Sequence, residues 1–424
     1  MEIFKNKKNN GGKMTTVKAE KIVAGGDCMG KVNGKNVFIP YAIPGETYEI
    51  EITKSFRDYD TARITRILEK SEHRVEPFCP LYGICGGCNM QHIESGYQVE
   101  LRKAILKEAF EREGVKCPEI EVIGGRDRGY RARIQLTDGG FNERGSNRIV
   151  SLEECPVATD AINAYLKSTP QEGRPRGRVH LFGDERVMNK GGIIIADERT
   201  KDDGSIRISG AGERRKSKVK AKRNVHFKGT MMESKNVCSL SLAGKKIDFD
   251  VKGFFQSNLE VLERTAAKAM ENLGGKNALD MYSGCGTFSV FLADRFEKTT
   301  LVEHNRDALV FAETNMAGKR HESYGQSGER WVESSAEQCV RQNGTFDAAI
   351  VDPPRQGMEK KVCQWLCSSK IGQIRSVSCN ASTHARDAAY LVKAGYTLER
   401  LYLLDFYPQT AHTESLAFFG YLKD

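Results

Sequence analysis

In the stretch SVSCNASTHARD, Cys379 stands between small polar residues, after a short apolar run and before a segment that reads as helix. A thiol so placed is either a small buried hydrophobe or a nucleophile. Three more cysteines crowd CPLYGICGGC: Cys79, Cys85 and Cys88, separated by five and then two residues, with Cys155 in EECPVA the nearest later candidate for a fourth. Cysteines two residues apart can turn both sulfurs to one metal centre, and Gly86 and Gly87 let the backbone wrap close to it. An iron-sulfur cluster takes four such thiolates; a structural zinc site and plain core packing compete with it.

Carboxylates mark a second kind of chemistry. NALDMYSGCGTFSVFLA (277–293) reads as an apolar strand ending at Asp280, a tight turn with Gly284 and Gly286, then a helix. Those glycines let a ligand approach the backbone at a strand's carboxyl end. TTLVEHN ends a second strand on Glu303, placed to accept hydrogen bonds from a ribose diol. The turn lacks the third glycine of dinucleotide sites, so a single nucleoside cofactor is favoured. FDAAIVDPPRQGM runs into Asp352, Pro353 and Pro354, whose fixed dihedrals stop the sheet and stiffen the pocket edge. Cys379 ends the next strand, so acid and thiol emerge on the same edge and the core reading of Cys379 weakens.

The elements that position these groups fall into three parts after a polar, lysine-rich start (1–13) expected to be disordered. Residues 14–70 alternate in short runs between glycine and proline turns, as a small antiparallel barrel does. Residues 71–250 read as a mixed α+β central domain, with the cysteines first, a helix in GYQVELRKAILKEAFEREG, then strand-like runs. Tyr130, Arg131 and Arg133 are suited to stacking on bases and pairing with phosphates, or to an ordinary surface strand. From 251 onward strands alternate with helices, which predicts a doubly wound, mostly parallel α/β sheet.

Composition narrows the partners. The net charge is +9, and ERRKSKVKAKR (213–223) holds seven basic residues against one acid, which suggests a polyanion or simply a solvated loop. No apolar run reaches the ~18 residues of a membrane span, so no membrane partner and a cytoplasmic location are expected. Twelve cysteines in such a chain do not read as a disulfide scaffold.

FFQSN, DMYSGCGTFS, VDPPRQGM, SCNAST and DFYPQTAHTE occur in the order seen in the uracil-C5 RNA methyltransferases that use S-adenosylmethionine, and the chain resembles that family over nearly its whole length. The barrel looks like an OB-like TRAM domain, and with the cysteines it resembles the iron-sulfur branch acting on 23S ribosomal RNA. The resemblance implies a class I methyltransferase domain, an RNA partner, S-adenosylmethionine and a 4Fe-4S cluster on Cys79, Cys85, Cys88 and Cys155, in a monomer. The spacing differs from that of radical enzymes that cleave S-adenosylmethionine, which makes the cluster structural. The resemblance also implies Cys379 as nucleophile and Glu414 as general base. Gln256, Tyr282, Glu303 and Asp352 fall on its cofactor and uracil positions.

The chemistry explains those roles. Carbon 5 of uracil is too weak a nucleophile to accept a methyl group unaided, and a thiolate adding to carbon 6 makes it an enolate. A base must then remove the carbon 5 proton, and the target must leave its stack to be reached. Three positions depart from the family pattern: Ala381 replaces a proline after Ser-Cys-Asn, Thr287 an asparagine of the cofactor turn, and Ser335 an asparagine of the adenine pocket. Methylation of a transfer RNA uridine, or RNA binding without catalysis, are the alternatives.

Overall fold

Side-chain alternation closes the amino-terminal barrel. Its strands are β1 (Met14–Ile22), β2 (Cys28–Val32), β3 (Lys35–Ile39), β4 (Thr47–Ser55) and β5 (Tyr59–Glu69), in the order β1-β2-β3-β5-β4. Val17, Ala19, Val37, Ile39, Tyr48, Ile50, Ala62 and Ile64 fill the interior, one residue in two along each strand. The computed structural model describes residues 14–198 and 236–421. The expected tail at 1–13 and the basic run at 213–223 lie outside the described residues.

After the cysteine loop, helix α1 (Ser95–Arg112) ends before Gly114, whose φ of +71° suits glycine. Then come β6 (Ile120–Ile123), β7 (Arg133–Thr137), a short hairpin of β8 (Phe141–Asn142) and β9 (Ile149–Val150), α2 (Asp160–Ser168), β10 (Arg178–Gly183) and β11 (Ile193–Asp197). β7, β10 and β11 form a small antiparallel sheet, and β12 (Val237–Leu242) pairs with β13 (Lys245–Asp250) in a hairpin. Helix α3 (Leu259–Ala269) follows, capped by Asn258, whose side chain accepts from the Val261 N–H.

The remaining elements build the large sheet: β14 (Gly275–Met281), α4 (Ser289–Leu292), β15 (Phe296–Val302), α5 (Arg306–Asn315), β16 (His321–Tyr324), α6 (Gly328–Ser334), α7 (Ala336–Asn343), β17 (Ala348–Val351), α8 (Lys360–Ser369), β18 (Gln373–Ser378), α9 (Ala381–Lys393), β19 (Thr397–Leu404) and β20 (Glu414–Gly420). The order is β16-β15-β14-β17-β18-β20-β19-β6, and β20 alone in this sheet runs against its neighbours. Successive residues serve opposite faces. Ala278, Ile350, Leu416 and Phe418 join one core with α3, α4 and α5, while Leu279, Met281, Ala349, Val351, Ala417 and Phe419 join another with α1, α6, α8 and α9. That arrangement bears out the expected doubly wound, mostly parallel α/β fold.

Elements of the expected central part pack into the large sheet. β6, from the expected central part, is the eighth strand of the sheet, parallel to β19 through Leu401↔Ile120 to Leu404↔Ile123, and α1 packs on α9. Only four residues long, β6 carries no periodicity long enough to declare its partner. Tyr130 also differs from expectation. Its ring is 3% exposed and its hydroxyl donates to the Pro408 carbonyl at 2.9 Å, so it cannot stack on a base. Arg133 donates to the Gly253 carbonyl at 2.8 Å and braces the backbone before α3.

Candidate active site

The chain turns outward from β14 to β16 and then returns on the other side of β14 to β17, so the sheet's topological switch lies between β14 and β17. Open α/β sheets bind ligands outside the carboxyl ends of such strands. Register aligns those ends: Met281 pairs with both Val302 and Val351, and Val351 with Ser376. Tyr282, Glu303, Asp352 and Cys379 therefore leave the sheet on one edge.

The turn after β14 is built for close approach. Tyr282 has φ +67°, Gly284 +54° and Gly286 +80°, and a Cβ on Gly286 would stand 3.1 Å from that of Ala312 in α5. The Tyr282 hydroxyl donates to Glu359. One Glu303 oxygen accepts from the Gly284 N–H at 3.0 Å and the other from the Asn305 N–H at 2.6 Å, which fixes the carboxylate against the turn. Asp280 is buried, accepts from the Ser289 hydroxyl, and has its other oxygen unpartnered. Burial foremost, with Asp352 and Glu303 nearby, pushes Asp280 up to about 7; burial and then Glu303 push Asp352 up to about 7. Two buried carboxyls beside the Glu303 carboxylate make a pocket suited to a cation.

Ser335 stands between α6 and α7, with its hydroxyl donating to the Gln326 side chain at 3.1 Å. Gln326 itself follows β16 and is buried. It is the residue at that strand's end, where sequence reading placed none.

Cys379 and Glu414 meet across the next ladder. β18 pairs with β20 through Ser378↔Ser415, so the residues just beyond, Cys379 and Glu414, are neighbours at the sheet edge. The Asn380 side chain caps α9 by accepting from the Ser382 and Thr383 N–H groups at 3.0 and 3.4 Å, and its amide donates to the Arg355 carbonyl at 3.2 Å. Cys379 is thus held at a helix N-terminus although Ala381 replaces proline. Burial first, then Glu414 and Asp352, raise its pKa, while Arg355 opposes them. Glu414, 5% exposed, is pushed up to about 8 by burial first and Asp352 next; Gln256, whose amide donates to it at 3.4 Å, and Arg355 counteract. The Tyr407 hydroxyl donates to the other end of the Gln256 amide at 3.4 Å. Gln256 therefore orients Glu414, and Asn258 does the helix capping.

Beyond Cys379 lies a cleft of about 1180 Å³ between the sheet edge and the barrel, lined by Cys379, Asn380, His412, Asn89, Phe38 and Lys31 among others. Burial lowers the pKa of His412 and keeps it neutral, which suits a structural wall residue.

The cysteine loop borders this cleft through Gly86 and Gly87. Burial comes first in raising the thiol pKa values of Cys79, Cys85, Cys88 and Cys155, and Cys155 adds to the cost of ionising each of the other three. Backbone groups of Leu81 and Tyr82 oppose this at Cys79, and those of Val157 and Ala158 at Cys155; the Gly87 N–H donates to the Cys85 sulfur at 3.3 Å. The four thiols share one neighbourhood and are supplied with N–H donors. Among the described residues, however, no three His, Cys, Asp or Glu side chains are gathered closely enough to hold a metal ion. No helix of the described residues is long and apolar enough to cross a membrane.

A carboxylate-lined switch point beside a glycine turn, on a sheet with one reversed strand, is a pocket suited to a positively charged nucleoside cofactor. Family comparison agrees: residues 328–420 match tRNA (Uracil-5-)-methyltransferase and residues 9–65 match the TRAM domain. An RNA methyltransferase of Treponema denticola is 35% identical, covering 95% of this chain and 98% of its own. A 23S rRNA (uracil(1939)-C(5))-methyltransferase of Salmonella typhi is 30% identical over 95% of both chains. The chain belongs to the S-adenosylmethionine-dependent RNA (uracil-5-)-methyltransferase family. Its fold is also that of a Pyrococcus abyssi tRNA (uracil-54, C5)-methyltransferase solved with S-adenosyl-L-homocysteine, at a TM-score of 0.66 and 24% identity, covering 95% of this chain and 99% of that one.

Proposed function

We propose that the chain methylates carbon 5 of a uridine in 23S ribosomal RNA through a covalent adduct on Cys379. The supporting observation is the ladder rung Ser378↔Ser415, which brings Cys379 and Glu414 together beside the carboxyl-lined pocket. The 23S relatives, near 30% identity over most of their length, favour ribosomal over transfer RNA.

In this reading Gln256, Tyr282, Gly284, Gly286, Glu303, Ser335 and Asp352 line or support the cofactor site, with Glu303 on the ribose and Ser335 acting through Gln326. S-adenosylmethionine supplies an electrophilic methyl group, and its positive charge suits the carboxyls of Asp280, Glu303 and Asp352. Cys379, helped by the α9 N-terminus and Arg355, adds as thiolate to uracil carbon 6. The electron pair of the carbon 5–carbon 6 double bond moves toward the carbon 4 oxygen, where a donor lowers the barrier; the Arg355 guanidinium is assigned that part. Carbon 5 takes the methyl group as its bond to sulfur breaks, the bonding pair staying on the sulfur of the S-adenosylhomocysteine that leaves. Glu414 then removes the carbon 5 proton, the double bond re-forms and the Cys379 thiolate leaves.

Cys79, Cys85, Cys88 and Cys155 are assigned as thiolate ligands of a structural 4Fe-4S cluster, on the strength of their shared neighbourhood and backbone N–H donors. A bound cluster would cross-link the cysteine loop to the segment before α2. Iron and sulfide content of anaerobically purified protein tests it, and a metal-free or zinc-bound protein rejects it.

The functional test is tritium release from 5-tritiated uracil in ribosomal and transfer RNA transcripts, comparing wild type with Cys379→Ala. Release from 23S RNA by wild type alone is expected. Release from transfer RNA only would reassign the substrate, and release by both proteins would discard the adduct.

A further inference from the structure

The barrel's outer face carries an aromatic group that the chemistry leaves unused. Facing residues in neighbouring strands share a side of the sheet, and the pairs Met29↔Phe38, Lys31↔Asn36 and Asn36↔Tyr59 place these side chains on one continuous surface. Phe38, Lys31 and Asn36 line the same cleft as Cys379. The Tyr59 ring meets Phe38 edge-on at 5.3 Å and stacks on Phe56 at 4.7 Å with 25° between planes. Phe56 is 45% exposed and Tyr59 37%, so both are accessible at the end of the row. Lys35 fixes this tip by donating to the Phe56 carbonyl at 2.5 Å, the Ser55 hydroxyl at 3.0 Å and Asp60 at 2.6 Å.

The surroundings indicate an occupant. Lys21, Lys31, Arg112 and Arg144 line the same cleft; Lys21 and Arg112 share Glu108 and Arg144 pairs with Asp27 at 3.7 Å, so four cations there face Glu108, Asp27 and Glu113. A polyanion carrying flat rings satisfies both the cations and the stack, as single-stranded nucleic acid does on basic grooves with aromatic platforms. We propose that Phe38, Tyr59 and Phe56 form a ledge on which an unpaired RNA base flanking the target uridine stacks, its backbone following the basic cleft to Cys379. The ledge gives the barrel a function in holding the strand at a set distance from the reacting base. It rests on the reading of the chain as an enzyme acting on RNA.

The test uses the full chain and single-stranded RNAs in which 2-aminopurine is stepped outward from a central uridine. Wild type should quench the fluorophore at one offset. Phe56→Ala and Tyr59→Ala should lose that quench and raise the Kd of the flanked RNA by roughly 5- to 150-fold, the range for a lost base–aromatic stack. Phe56→Trp should retain it, and kcat at saturating RNA should not change. Full quench in both alanine variants overturns the ledge, as does an equal loss of affinity for an RNA trimmed to the bases around the uridine. The two readings separate cleanly: offset-dependent quenching without methyl transfer from labelled S-adenosylmethionine keeps the ledge and removes the methylation, whereas methyl transfer without the quench does the reverse. Unaltered melting of each variant controls for folding.

Discussion

The side-chain oxygen of Asn89, one residue beyond Cys88, accepts a hydrogen bond from the Ala411 N–H at 3.0 Å, while its amide donates to the Gly25 carbonyl of the barrel at 2.8 Å. One residue thus joins the cysteine loop, the barrel and the segment that leads to Glu414. Gln409 in that segment has φ +69°, and its carbonyl accepts from the Asn89 and Met90 N–H groups while its side chain and N–H bond Gln98. A left-handed glutamine persists because its neighbours over-determine it.

Replacing Asn89 should therefore disturb RNA handling before cofactor binding. Asn89→Ala is expected to destabilise the protein by ~0.5–1.5 kcal/mol, since it removes one exposed and one half-buried hydrogen bond, and to raise KM for RNA with little change in S-adenosylmethionine affinity. Gly26→Ala should do the same more severely. Its φ is +92°, and a Cβ there would stand 2.6 Å from the Asn89 amide and 2.8 Å from the Ala411 Cβ. Steady-state kinetics with calorimetric cofactor titration checks both variants.

Glu414 sets a pH dependence. A base must be deprotonated to act, and so must the Cys379 thiol, whose pKa burial raises. kcat/KM for RNA should therefore rise with pH through about 8, where Glu414 ionises, and keep rising as the thiol ionises. Stability moves the other way. The folded state holds this proton more tightly than the unfolded chain, so stability falls as pH climbs from the unfolded value of 4.5 to about 8 and then levels. Glu414→Gln should flatten that fall, raise the melting temperature relative to wild type at pH 9, and accumulate a protein–RNA adduct visible on denaturing gels.

Cofactor binding should release protons. Asp280 and Asp352 stand at about 7 before a cation enters, and a cation favours their ionised forms. Affinity for S-adenosylmethionine should increase through that pH, and S-adenosylhomocysteine, lacking the sulfonium charge, should show a weaker dependence. Isothermal titration in buffers of differing ionisation enthalpy measures both; equal proton release for the two ligands would count against the cation pocket.

Ala381→Pro should be tolerated. Ala381 is the first residue of α9, where proline fits without losing a helical hydrogen bond, and Asn380 already supplies the cap. A gain of ~0.4–1 kcal/mol is expected from the stiffer unfolded chain, with kcat unchanged. A fall in kcat would mean that the loop under Cys379 needs the freedom alanine gives.

Much of this was legible before any coordinates. The barrel strands and the glycine turn carry strong local signals, and Asp352 and Cys379 follow apolar runs that can hardly be anything but strands. What stayed hidden depends on long-range pairing. β6 is too short to announce its place beside β19, and Tyr130 looked like a surface aromatic because nothing near it in sequence reveals the Pro408 carbonyl 278 residues away. Gln326 and the Gln256–Glu414 contact belong to the same class. Arg355 was visible in VDPPRQGM, yet its reach to both Cys379 and Glu414 exists only once β17 and β20 flank β18.

The reversed strand β20 carries one more implication. Because Ser378↔Ser415 is a ladder rung, the separation of the thiol and the carboxyl is inherited from the mesh of the sheet and does not depend on the loops that surround them. The barrel, the cysteine loop and the 405–413 segment lie outside that rung. A slip of β20 by a single residue would instead flip every side chain on it to the opposite face. The spacing of Cys379 and Glu414 is thus a property of strand register, set apart from the segments that surround it.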